Sequence, residues 1–108
     1  IIKWCDKLQL RMCFDIFHSM LTANNFNYCF YELCEQIAPL TAHLHIGDAE
    51  GLNGEGLQIG EGSIDFVRTG KILNTLAPLA TFIPEIWQGH KNDGEGFWKA
   101  LELLEPVL

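Results

Sequence analysis

Basic residues are scarce in this chain. Lys and Arg total 7 against 14 Asp and Glu among 108 residues, and the formal net charge of -7 gives no electrostatic reason to attract a polyanion, so nucleic-acid binding is not expected. Long apolar runs are missing too: none approaches the roughly 20 residues of a membrane span. With neither attraction in place, a soluble cytoplasmic protein is the expectation. Cysteine is confined to Cys5, Cys13, Cys29 and Cys34, whose spacing makes neither a C-x-x-C knuckle nor a compact disulfide framework. All four read as small buried hydrophobes in a reducing compartment. No P-loop ending of Gly-Lys-Ser/Thr occurs, and no dinucleotide fingerprint stands at a strand-to-helix turn.

What the chain does have is apolar content, 48% of residues, enough to bury a core in one domain over residues 1–108. Ile1, Trp4, Cys5 and Leu8 repeat at i, i+3, i+4 and i+7, so the chain is expected to open inside a helix, as a piece of something longer would. Leu8 to Ile16 is predicted as a strand and His18 to Asn27 as a loop rich in Ser, Thr and Asn. Asn27 is expected to cap a helix carrying Phe30, Leu33, Cys34 and Ile37, which Pro39 stops. Thr41 to Ile46 is a second strand, followed by a glycine-rich loop from Gly47 to Gly62 whose length marks it as functional or mobile. Ser63 is expected to cap a helix over about Ile64 to Ala77, with Asp65 in its first turn. Thr81 to Ile86 is a third strand. A polar loop from Gln88 to Gly96 leads to an amphipathic helix marked by Phe97, Ala100, Leu101 and Leu104.

Strands alternating with helices imply right-handed crossovers and a parallel sheet covered on both faces. Three strands leave two exposed edges, whereas a complete eight-fold barrel takes about 250 residues. The expected architecture is therefore α/β, the C-terminal three strand-helix units of a (β/α)8 TIM barrel. A complete small three-strand α/β domain is the alternative.

Each predicted strand ends in or near one side chain able to hold a metal: Asp15, His45 and Glu85. Ligands of parallel α/β folds sit beyond the carboxyl ends of the strands, so the three would converge on one rim. An oxygen, nitrogen, oxygen set suits Mn²⁺, Mg²⁺, Co²⁺ or Zn²⁺ and leaves positions open for substrate oxygens. Taken singly, Asp15 can cap a loop, His45 can be a hydrogen-bonded core histidine and Glu85 can pair with Lys91. Three in phase point to a shared cation. His18, three residues after Asp15, is placed to turn back toward the same ion or a bound hydroxyl, while His43 shares a strand face with His45 and would lie one layer deeper. Asp48 either orients an imidazole, contacts substrate or is solvated. The backbone N–H groups around Gly60 and Gly62, where the chain enters a helix, could cradle an anion, but Glu55 and Glu61 would oppose one. Trp87, Gln88, His90 and Lys91 form a polar and aromatic lip, with Lys91 either the cation for a sugar oxygen or phosphate or a plain surface lysine. Trp87 and Trp98 either stack on a sugar or pack in the core.

The strings F-D-I-F-H, H-L-H-I-G-D, I-G-E-G-S-I-D-F and F-I-P-E-I resemble the C-terminal part of the xylose-isomerase-like barrel superfamily, which holds sugar and sugar-phosphate isomerases and epimerases and the apurinic endonucleases. The resemblance runs from about Leu10 to Leu104. It implies one divalent metal held by Glu, Asp, His and Glu from the last four strands, with Asp15, His45 and Glu85 as the second, third and fourth. It further implies His18 on the substrate and Glu85 as one of two catalytic glutamates in proton transfer beside a metal-polarised carbonyl. The other glutamate is absent, so this chain alone is expected to be inactive. Two departures stand out: Gly54 and Gly56 occupy positions where the endonucleases place further zinc ligands, and no Arg lies between Gly47 and Ser63, where many epimerases carry one. An endonuclease-like hydrolase and a non-catalytic barrel module fused to a sugar-biosynthesis enzyme are the rival expectations, and self-association of copies is expected from the open sheet edges.

Overall fold

The computed structural model describes the whole chain, Ile1–Leu108. Helix α1 (Ile2–Leu8) ends where Gln9 adopts a left-handed conformation at φ 53°. Strand β1 (Met12–Asp15) then runs directly into helix α2 (Ile16–Phe26), because the Asp15 carboxylate accepts the backbone N–H of His18 and so caps the new helix. Helix α3 (Phe30–Ile37) and a 3-10 turn over Ala38–Leu40 lead into strand β2 (Thr41–Ile46). An antiparallel hairpin, β3 (Asp48–Glu50) and β4 (Gly54–Leu57), precedes helix α4 (Phe66–Leu76), strand β5 (Thr81–Pro84) and helix α5 (Lys91–Leu104).

The main sheet has the order β1-β2-β5, and both pairings are parallel, as alternation requires. Register places Asp15 opposite His45 and His45 opposite Ile83. An irregularity at Met12/Cys13 skips Ala42, so that His43 falls opposite Cys13 and shares a face with His45. The mixed α/β class with a parallel three-strand sheet is thus established.

One face of the sheet is covered. Phe14, Leu44 and Ile46 point into a core completed by Ile16, Phe17 and Ala23 of α2, Phe30, Cys34 and Ile37 of α3, Leu73 of α4, and Ala100 and Leu104 of α5. The opposite face carries Cys13, Thr81 and Ile83, all exposed, which corrects the expectation that helices shield both sides. That uncovered face is the one bearing His43 and His45.

Several boundaries differ from expectation for identifiable reasons. The first strand shrinks to four residues because Gln9 terminates α1 and Ile16 enters α2. The predicted loop His18–Asn27 is helical, since the Asp15 cap and the burial of Ile16, Phe17 and Ala23 outweigh the weak helix propensity of Ser19, Thr22, Asn24 and Asn25. Asn27 closes that helix in a left-handed conformation at φ 56° and caps nothing downstream; Cys29 occupies the N-cap of α3. Asp65, and not Ser63, caps α4 through the N–H of Arg68, while the Ser63 hydroxyl donates to the Ala49 carbonyl. Within α5, Asn92, Asp93 and Gly94 are left-handed at φ 51°, 58° and 84°, so regular helix follows Gly94.

Candidate metal centre

Asp15, His45 and Glu85 come together. Asp15 is the last residue of β1, His45 lies beside it on the central strand, and Glu85 stands one residue past β5, where its N–H still donates to the Ile46 carbonyl at 2.8 Å. One ligand atom from each falls within 4.8 Å of the other two. His45 Nδ1 is 2.7 Å from Glu85 Oε2 and 4.0 Å from Asp15 Oδ2. Ligand bonds of about 2.0–2.2 Å to a first-row ion put two donor atoms at most about 4.4 Å apart, so a small inward movement of the carboxylates would let all three donors reach one ion. Donor chemistry and spacing both fit a divalent cation.

The Asp15 carboxylate is held by two groups of the same residue. Its Oδ1 accepts the His18 backbone N–H at 3.0 Å, and its Oδ2 lies 2.7 Å from His18 Nδ1. The far side of the imidazole, Nε2, faces Glu55 Oε2 at 3.5 Å. The hydrogen bond with Asp15 raises the His18 pKa above its ordinary value; partial burial opposes this, and the charges of Asp15, Glu55 and Glu85 add to it. His18 therefore stands beside Asp15, on the first turn of α2.

A cavity of about 570 Å³ opens beside these groups, lined in part by His18, Glu55, Glu85, Trp87, His90 and Lys91. Lys91 Nζ donates to Gln88 Oε1 at 2.8 Å, which leaves Glu85 to pair with His45 and not with the lysine. Trp87 is exposed on this cavity, and Trp98, also exposed, belongs to a separate groove with Phe82 and Leu101. Neither tryptophan is a core residue.

His43 occupies the deeper layer, with Nδ1 2.7 Å from Thr81 Oγ1 and its ring edge-on to His45. Asp48 neither orients an imidazole nor meets solvent. It is fully buried and accepts four backbone N–H groups: Ala49 and Ile64 on Oδ1, Gly60 and Gly62 on Oδ2. The N–H groups that could cradle an external anion are therefore already filled by a carboxylate of the chain itself, which closes that alternative. Of the cysteines, Cys5 and Cys34 are buried while Cys13 and Cys29 are exposed, so only half fit the buried reading.

Glu55 is the site residue that sequence reasoning placed wrongly, as an opponent of a bound anion. Its position is set by the turn between β3 and β4, where Gly51 takes a positive φ of 59° and the returning strand brings Glu55 to 3.5 Å from His18. No protein-family model matches the chain, and a search of curated proteins finds no match.

Proposed function

We propose that this chain forms three consecutive strand-helix units of a (β/α)8 barrel and serves a metal-dependent isomerase or epimerase acting on a small sugar or sugar phosphate. One observation carries the proposal: an aspartate, a histidine and a glutamate from separate segments meet at the carboxyl ends of three adjacent parallel strands, where such folds place their chemistry. The uncovered sheet face that bears them supports the barrel reading, because in a closed barrel that face is the interior.

Asp15, His45 and Glu85 would hold Mn²⁺, Mg²⁺, Co²⁺ or Zn²⁺. When bound, such an ion polarises a substrate carbonyl. Glu85, open to the cavity, takes the proton from the adjacent carbon and delivers it to the former carbonyl carbon, while the hydroxyl proton of that adjacent carbon passes to the former carbonyl oxygen. His18 is fixed by Asp15 so that its ring meets a substrate hydroxyl, and Lys91 and His90 line the same cavity. Phe17 and Trp87 supply the cavity's apolar walls. Inversion at one carbon needs a second acid on the opposite face, which the resemblance assigns to a glutamate on a strand that this chain lacks.

Isothermal titration with Mn²⁺ or Co²⁺ tests the site. Wild type is expected to bind about one ion per chain and Asp15→Ala/His45→Ala none; equal binding by both would overturn the proposal. Solvent deuterium entering the carbon next to the carbonyl of aldoses, ketoses or their phosphates, with the native-length protein and its Glu85→Gln variant, tests the reaction separately.

A further inference from the structure

The backbone of Glu85 passes through a slot walled by two glycines. A methyl group on Gly47 would meet the Glu85 carbonyl oxygen at 2.7 Å, the Phe17 ring at 3.1 Å and the Gly56 Cα at 3.3 Å. One on Gly56 would meet the Trp87 nitrogen at 3.3 Å and the Glu85 carbonyl oxygen at 3.6 Å. The slot is closed by hydrogen bonds on both sides of Glu85: its own N–H donates to Ile46, and the Trp87 N–H donates to the Gly56 carbonyl at 2.7 Å. The β3–β4 hairpin thus lies directly against the segment that carries one metal ligand, at a distance that a side chain at either glycine would increase.

We infer that Gly47 and Gly56 are positioning residues for the cation: by letting the hairpin back onto the Glu85 segment, they set where the Glu85 carboxylate stands relative to His45 and Asp15. The inference rests on the metal-site reading proposed above. Partners that orient a ligand without touching the ion are worth roughly 10–100-fold in metal affinity. A carboxylate displaced by a few tenths of an ångström belongs at the lower end of that range.

The hairpin supplies its own control. Gly51 and Gly56 share a positive φ, 59° and 61°, but a methyl group on Gly51 meets nothing within 4 Å. Alanine at either position is strained by that φ; only at Gly56 does it also press on the Glu85 segment. Titrating the chain with Co²⁺ alone, and recording its visible absorption bands as a measure of ligand geometry, separates the two effects. Gly56→Ala is expected to weaken Co²⁺ binding about tenfold and to shift the bands, while Gly51→Ala loses comparable stability and leaves both unchanged. Gly47→Ala, with the tighter contact, is expected to exceed Gly56→Ala if it folds; the comparison of Gly56 with Gly51 stands without it. Equal affinity and identical spectra for Gly56→Ala and Gly51→Ala, with wild type binding the ion, would overturn this inference and leave the metal site intact. Absence of Co²⁺ binding in wild type would overturn both.

Discussion

Replacing Asp48 by asparagine isolates what its buried carboxylate does. Oδ1 accepts from Ala49 at 2.8 Å and Ile64 at 3.1 Å, and Oδ2 accepts from Gly60 and Gly62 at 2.9 Å each. Asparagine has the same shape but only one acceptor oxygen, so its NH₂ group must face one of these donor pairs. Two charge-assisted bonds are lost, each worth about 1.5–3 kcal/mol, and two N–H groups are left facing a donor. Relief from burying a charge offsets part of this, and the net cost comes to about 3 kcal/mol. For a domain of this size, total stability is roughly 5–16 kcal/mol, so about a fifth to three-fifths of it is at stake. Urea unfolding followed by circular dichroism is the assay. With a slope of about 1–3 kcal/mol/M, the midpoint is expected to fall by about 1–3 M at unchanged slope. A fall equivalent to less than about 0.5 kcal/mol would refute the reasoning, because a surface carboxylate behaves that way.

Thr69 gives the opposite case: its hydroxyl is buried with no hydrogen-bond partner, so Thr69→Val is expected to stabilise the chain by about 1 kcal/mol, seen as a raised urea midpoint. A lowered midpoint would mean that the hydroxyl has a partner. The Cys34 thiol is pushed up to about 12 from 9.0, chiefly by burial and then by Cys29 and Glu35. Because the unfolded chain ionises this thiol first, stability is full below pH 9.0 and is lost as the pH rises toward about 12, which midpoints measured across that window would show. At pH 8, a thiol reagent is expected to label exposed Cys29 fastest. Cys13 follows more slowly, its pKa raised by partial burial and by the charges of Asp15 and Glu85, and Cys34 reacts only as the protein opens. Rapid labelling of Cys34 in the native protein would contradict its burial.

How much was legible in the sequence depended on how local the deciding interaction is. Thr41–Ile46 was read with its true limits because Pro39 and Gly47 bracket an unbroken strand pattern. The parallel order and the meeting of Asp15, His45 and Glu85 followed from period and position along each strand. Helix α2 was missed although its start signal was present: the Asp15 to His18 spacing was assigned to ligand chemistry, and the same carboxylate also caps the helix. The role of Asp48 was out of reach, since its partners Gly60, Gly62 and Ile64 lie 12 to 16 residues away across a hairpin that no periodic pattern announces. The exposed tryptophans were ambiguous for a simpler reason. Residue type sets an average burial, and Trp87 and Trp98 depart from it.

The double duty of Asp15 bears on experimental design. Both carboxylate oxygens already meet His18, Oδ1 at its backbone N–H and Oδ2 at its ring Nδ1, so an ion at this site would take up lone pairs that these contacts leave over. Truncation to alanine therefore removes a ligand and a helix cap together, the cap alone being worth about 1 kcal/mol. Asparagine keeps the cap while discarding the charge, which makes Asp15→Asn the variant whose lost affinity reports on coordination and not on a frayed helix.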